Sequence, residues 1–92
     1  METAIVFVNA EVASIPEVAE RIAALEGVTE VYSVTGRIDL IAIIRVRSTA
    51  EIASVVSDHL NKVSGVKSTE THIAFRAYSS ADLESTFSLG FS

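Results

Sequence analysis

The residues best placed to hold a small molecule lie in one short stretch, Val34-Thr35-Gly36-Arg37-Ile38-Asp39. Glycine lets backbone N–H groups close on a small anion, and a carboxylate three residues later can meet an ammonium. That pairing suits a zwitterion. A tight turn with an internally satisfied carboxylate is the commoner use of Gly-x-x-Asp, so the spacing alone leaves both readings open. Further along, Thr69-Glu70-Thr71 sets two hydroxyls on one face of a strand, where β propensity alone would also favour threonine.

Other chemistries find less support. His59 and His72 stand on different elements, with no second histidine nearby and no spaced acidic constellation, so both read as structural and no metal is expected. His59 falls between Val56 and Leu60, at the border of a helix–sheet interface, whereas His72 shares a strand face with Glu70, Ala74 and Arg76. The chain has no Cys, hence no thiol nucleophile, no disulfide and no need of an oxidising compartment. No serine sits in a Gly-x-Ser-x-Gly elbow. The Gly36 loop lacks the repeated glycines and lysine of a phosphate cradle, and it opens a strand instead of a helix. Neither catalysis nor a cofactor is expected.

Composition narrows the partners. The 92 residues suffice for one domain. With 49% apolar residues and a mean hydropathy of +0.42, the chain is greasy for its size, which predicts burial against other subunits. Twelve acidic against seven basic residues give a net charge of −5, whereas nucleic-acid binders cluster cations to displace counterions from phosphates, so no direct nucleic-acid contact is expected. Apolar runs such as Leu40 to Ile44 fall far short of the ~20 residues that cross a bilayer. Met1-Glu2-Thr3 lacks the basic start of a secretory leader, so the expected location is cytoplasmic, with no membrane partner.

The elements that must position the Gly36 loop follow from an internal echo. Ser14-Ile15-Pro16-Glu17 and Ser48-Thr49-Ala50-Glu51 both have capping-box spacing, and each opens a run of helical period ending at Gly-Val. The first helix carries Ile15, Val18, Ala19, Ile22 and Leu25 on one face; the second, about one turn longer, carries Ile52, Val55, Val56, Leu60 and Val63. Strand-like sequence at Ala4 to Ala10, Thr29 to Thr35, Ile38 to Val46 and Lys67 to Tyr78 completes the order βαββαβ, with Gly36-Arg37 as the hairpin turn. Right-handed crossovers then give an α+β, ferredoxin-like sandwich: an antiparallel sheet with both helices on one face. Strand residues alternate sides, yet both sides are apolar, Ile5, Phe7, Ile41 and Ile43 opposing Ala4, Val6, Val8, Leu40, Ala42 and Ile44. Helices hide only one set, so the other face is expected to make a dimer. Residues 1–78 form the domain; the tail 79–92, holding Leu83, Phe87, Leu89 and Phe91, is too apolar for a loose end and is expected to dock on its own or a neighbouring subunit.

Taken together, Gly27-Val28, Val34-Thr35-Gly36-Arg37-Ile38-Asp39-Leu40 and Gly65-Val66 followed by Thr69-Glu70-Thr71 resemble the effector-binding (RAM) domain of the Lrp/AsnC transcriptional regulators, over residues 3 to 78. The resemblance implies sheet-to-sheet dimers assembled into octamers or decamers, with small effectors, commonly amino acids, bound between dimers. Carried over, it places Thr35, Gly36, Arg37 and Asp39 in the effector loop, Asp39 meeting an α-ammonium, with Thr69 and Thr71 facing that loop across the subunit contact. Strand sequence begins by Thr3, so the chain reads as a stand-alone form without the helix-turn-helix, able to co-assemble with full-length regulators. Ile38 stands where family members often carry an aromatic, which leaves the ligand class open. Two other readings compete: a purely structural oligomerisation domain, and a small enzyme of this fold, which would need a polar pocket that only His59 might enter.

Overall fold

Alternation along the first strand sets the frame. In the computed structural model, which describes residues 1–80, strand β1 runs Glu2–Ala10 with Ala4, Val6, Val8 and Ala10 buried, while Thr3, Ile5, Phe7 and Asn9 on the other side are only half-buried. Helix α1 (Ile15–Ala23), strands β2 (Val28–Ser33) and β3 (Leu40–Val46), helix α2 (Thr49–Ala53, continued by other windings to Lys62) and strand β4 (Val66–Ala74) complete the order βαββαβ. The sheet order is β2-β3-β1-β4, antiparallel throughout, the arrangement expected of a ferredoxin-like α+β fold.

Val18 and Ile22 of α1 and Ile52, Val55, Val56 and Leu60 of the second helical segment close over Ala4, Val6, Val8, Leu40, Ala42 and Ile44. Each large side chain so buried contributes roughly 1.5–3 kcal/mol, which makes this layer the main source of stability. Two glycines permit its close approaches. Gly27, at φ 95°, lays the α1–β2 turn against Val46 and Val55; Gly65, at φ 97°, brings the chain so near α1 that an added Cβ would stand 2.6 Å from Val18 Cγ2.

Several boundaries differ from the sequence expectation. Ser14 makes no capping bond: it ends a 3-10 turn (Val12–Ser14) and is not extended, so its hydroxyl is not presented to the helix. Ser48 is extended and does accept from the Glu51 N–H at 3.3 Å. The second helix is α-helical only to Ala53, then π-wound over Ser54–His59 and 3-10 over Leu60–Lys62. None of Ser54, Val55, Val56, Ser57, Asp58 and His59 is a strong helix former, so α winding is weakly held and burial of Val55, Val56 and Leu60 decides the path. The ladder of β4 stops at Ala74 instead of Tyr78 because its partner β1 runs out at Glu2. The expected tail contacts of Leu83, Phe87, Leu89 and Phe91 lie outside the described residues.

Candidate functional site

The hairpin is wider than a Gly36-Arg37 turn. Pairing of β2 with β3 ends at Ser33 and Leu40, and one further bond joins Val34 N–H to the Asp39 carbonyl at 3.1 Å. Residue 39 is drawn instead toward β1: its N–H donates to the Val8 carbonyl at 3.1 Å, and its Oδ2 accepts from the Ala10 N–H at 2.9 Å. Those two bonds open residues 34–39 into a loop and fix the half-buried Asp39 at its root. The other carboxylate oxygen, Oδ1, makes no hydrogen bond with a described residue. Thr35, Gly36 and Arg37 are exposed at the tip. Gly36 has φ 104° and nothing within 4 Å of where a Cβ would stand, so glycine is needed there for backbone conformation and not for room.

Val8 pairs with Leu40 on one side and Thr69 on the other, which brings the loop and the start of β4 to the same end of the sheet. With β1 between them, the strands that carry Asp39 and Thr69 run about 10 Å apart within one subunit. Thr69 and Thr71 pair with Val8 and Val6 and therefore share the helix side, as the alternation requires. Thr69 is half-buried and donates its hydroxyl to Asn61 Oδ1 at 2.7 Å, while Thr71 is exposed. Asn61 went unnoticed in the sequence; it lies in the 3-10 turn, and only the break in α winding brings it over β4. His59 is exposed instead of bordering the core interface.

The far face of the sheet centres on half-buried Ile5, Phe7, Ile41 and Ile43. Polar side chains rim it. His72 contacts Glu70 and lies 5.1 Å, centroid to centroid, from the Phe7 ring. Tyr32 donates to the Glu30 carboxylate, and that bond, with the negative charge behind it, raises the phenol above its ordinary value. Among the described residues no three of His, Asp and Glu gather as a metal site, and no helix is long and apolar enough to cross a membrane.

Similarity to known proteins follows this geometry. The family model described as the Lrp/AsnC ligand binding domain matches residues 3–83. YugG of Bacillus subtilis (strain 168), an uncharacterized HTH-type transcriptional regulator, is 42% identical over 62 residues, covering 67% of this chain and 37% of its own length. The chain thus spans less than two fifths of that curated relative. TTHA0845 from Thermus thermophilus superposes with a TM-score of 0.81 at 42% identity, covering 86% of this chain and 99% of that one. The transcriptional regulator NMB0573 from Neisseria meningitidis, solved as an L-Met complex, shares the fold, with a TM-score of 0.76 at 18% identity over 85% of this chain and 52% of its own. The family is one of regulatory ligand-binding domains and not of enzymes. By the extent of the match, the chain belongs to the Lrp/AsnC ligand binding domain family.

Proposed function

We propose that the protein is an amino-acid-sensing assembly module that acts on transcriptional regulation without touching DNA itself. The observation that carries this is the state of Asp39: the Ala10 N–H holds one carboxylate oxygen, and the other makes no hydrogen bond with a described residue, at the root of the loop whose tip is the exposed Gly36. A carboxylate fixed in this way loses little entropy on meeting an α-ammonium, and main-chain N–H groups near Gly36 with the Thr35 hydroxyl suit the α-carboxylate. Arg37 would border the ligand, and Thr69 and Thr71 would approach from a neighbouring dimer. The Neisseria regulator, of the same fold, was solved with an amino acid bound.

In this reading the Ile5, Phe7, Ile41 and Ile43 face pairs two copies, and the dimers close into octamers or decamers, alone or with full-length regulators. A net charge of −5 supports the absence of direct nucleic-acid contact. The bond from Ala10 also supports a second reading, a purely structural oligomerisation domain, because it gives Asp39 a role without any ligand. Thermal midpoints measured against each of the twenty amino acids, with light scattering on the same samples, separate the two. Binding raises the midpoint by mass action; a large assembly with no shift supports the structural reading.

A further inference from the structure

The second helical segment carries a histidine where its own apolar stripe calls for a core residue. At 3.6 residues per turn, position 59 lies two turns after Ile52, one turn after Val55 and Val56, and one turn before Val63, in the middle of the stripe that meets the sheet. A continuous α-helix would press the imidazole into a core in which no described polar side chain is buried, leaving its ring nitrogens without a partner. The structure avoids this. Val55, Val56 and Leu60 are buried, while His59 faces solvent.

The escape is made at residue 59 itself. The backbone is helical at Ala53 (φ −59°, ψ −41°) and again at Leu60 (φ −61°, ψ −46°), but His59 stands at φ −125°, ψ −62°. The π turn before it sets Leu60 over Val55, so the leucine stays in the core as the histidine swings out. The Leu60 N–H reaches the carbonyls of both Val55 and Val56, which joins the i→i+5 bond of π winding to the i→i+4 bond of α winding. The segment thus stands one bond away from either path.

From this we infer that residues 54–62 are a two-state winding element set by His59, whose π state commits the Thr69 hydroxyl to Asn61. Burial of Val55, Val56 and Leu60 fixes which side meets the sheet, and His59 selects the winding that brings them there. In the π state Asn61 lies over β4 and accepts the Thr69 hydroxyl proton at 2.7 Å, so that hydroxyl has only lone pairs left for a ligand. In the α state His59 faces the core, and Asn61, two residues on, turns to the opposite side of the helix. Thr69 then regains a donor for a carboxylate. This consequence for a ligand rests on the role proposed for Thr69 above; the winding itself does not.

The test is NMR of the whole protein without ligand, comparing the wild type with His59→Leu, His59→Gln and Thr69→Val. Leucine suits the middle of the stripe and glutamine does not. His59→Leu is expected to move the Cα shift of residue 59 to a helical value and to abolish the nuclear Overhauser contact between Asn61 and Thr69. His59→Gln is expected to keep the wild-type shift and contact. Thr69→Val removes the hydroxyl and is expected to keep the π winding, because His59 sets it. A shift that stays non-helical in His59→Leu, rewinding in His59→Gln or Thr69→Val, or an Asn61 contact that survives rewinding would each overturn the inference. No ligand enters these measurements, so failure of the amino-acid reading is seen separately, in thermal midpoints that no amino acid moves.

Discussion

Asp39 is tied to Ala10: the carboxylate of the β2–β3 loop accepts, at 2.9 Å, the N–H of the last residue of β1. The residue proposed to meet a ligand ammonium is therefore also a brace of the fold, and the two roles need different substitutions to separate. Asp39→Ala leaves the part-buried Ala10 donor unsatisfied and is expected to cost about 1–3 kcal/mol. Asp39→Asn keeps an acceptor oxygen while removing the charge, and is expected to cost under about 1 kcal/mol. Urea denaturation of the three proteins checks the order.

The glycines separate conformation from packing. Gly36→Ala meets only the backbone penalty of a positive φ, about 1–2 kcal/mol, since its surroundings are empty. Gly65→Ala meets that penalty and also drives its Cβ into Val18, for a total of roughly 2–5 kcal/mol. Equal losses in thermal or urea unfolding would contradict the description of the loop tip as open.

The two capping-box sequences are not equivalent. Ser48→Ala removes an observed bond to the Glu51 N–H and is expected to destabilise by about 1 kcal/mol; Ser14→Ala removes none and should stay within about 0.5 kcal/mol. Unfolding midpoints of the two variants report the difference.

Much of this was legible beforehand, because period-2 and period-3.6 patterns are strong where one face is buried. Ala4, Val6 and Val8 against Ile5 and Phe7 set β1, and Val18 with Ile22 set the buried stripe of α1. What the sequence did not reveal depends on long-range partners. The Val8 carbonyl and Ala10 N–H that pull Asp39 toward β1 carry no side-chain signature, Asn61 reaches Thr69 only through a change of winding, and β4 ends where β1 does. Thr35, Gly36, Arg37, Asp39 and Thr69 were visible as types and spacing; their joint placement at one end of the sheet is a property of strand order.

If the far face pairs two copies, a charge at its centre must disrupt assembly without unfolding the subunit. Ile43 points away from the helices and is only half-buried, so Ile43→Glu is expected to keep the far-ultraviolet spectrum and to run as a monomer in light scattering. An unchanged assembly would place the dimer contact elsewhere.

Tyr32 offers a titratable probe of the same face. Its phenol ionises above the ordinary value because Glu30 holds the proton, so its contribution to stability is present below the unfolded value of 10.0 and lost as the pH rises through the higher folded value. In a Tyr78→Phe background, ultraviolet titration is expected to show that high value, and Glu30→Gln to bring it down.

The most direct measurement is calorimetric titration of the wild-type protein and Asp39→Asn with the amino acids that raise the thermal midpoint. We expect wild-type binding, and in Asp39→Asn a loss of at least about tenfold in affinity with the fold and its stability retained. Binding of equal affinity in both proteins, or no amino acid bound by either, would contradict the role assigned to Asp39.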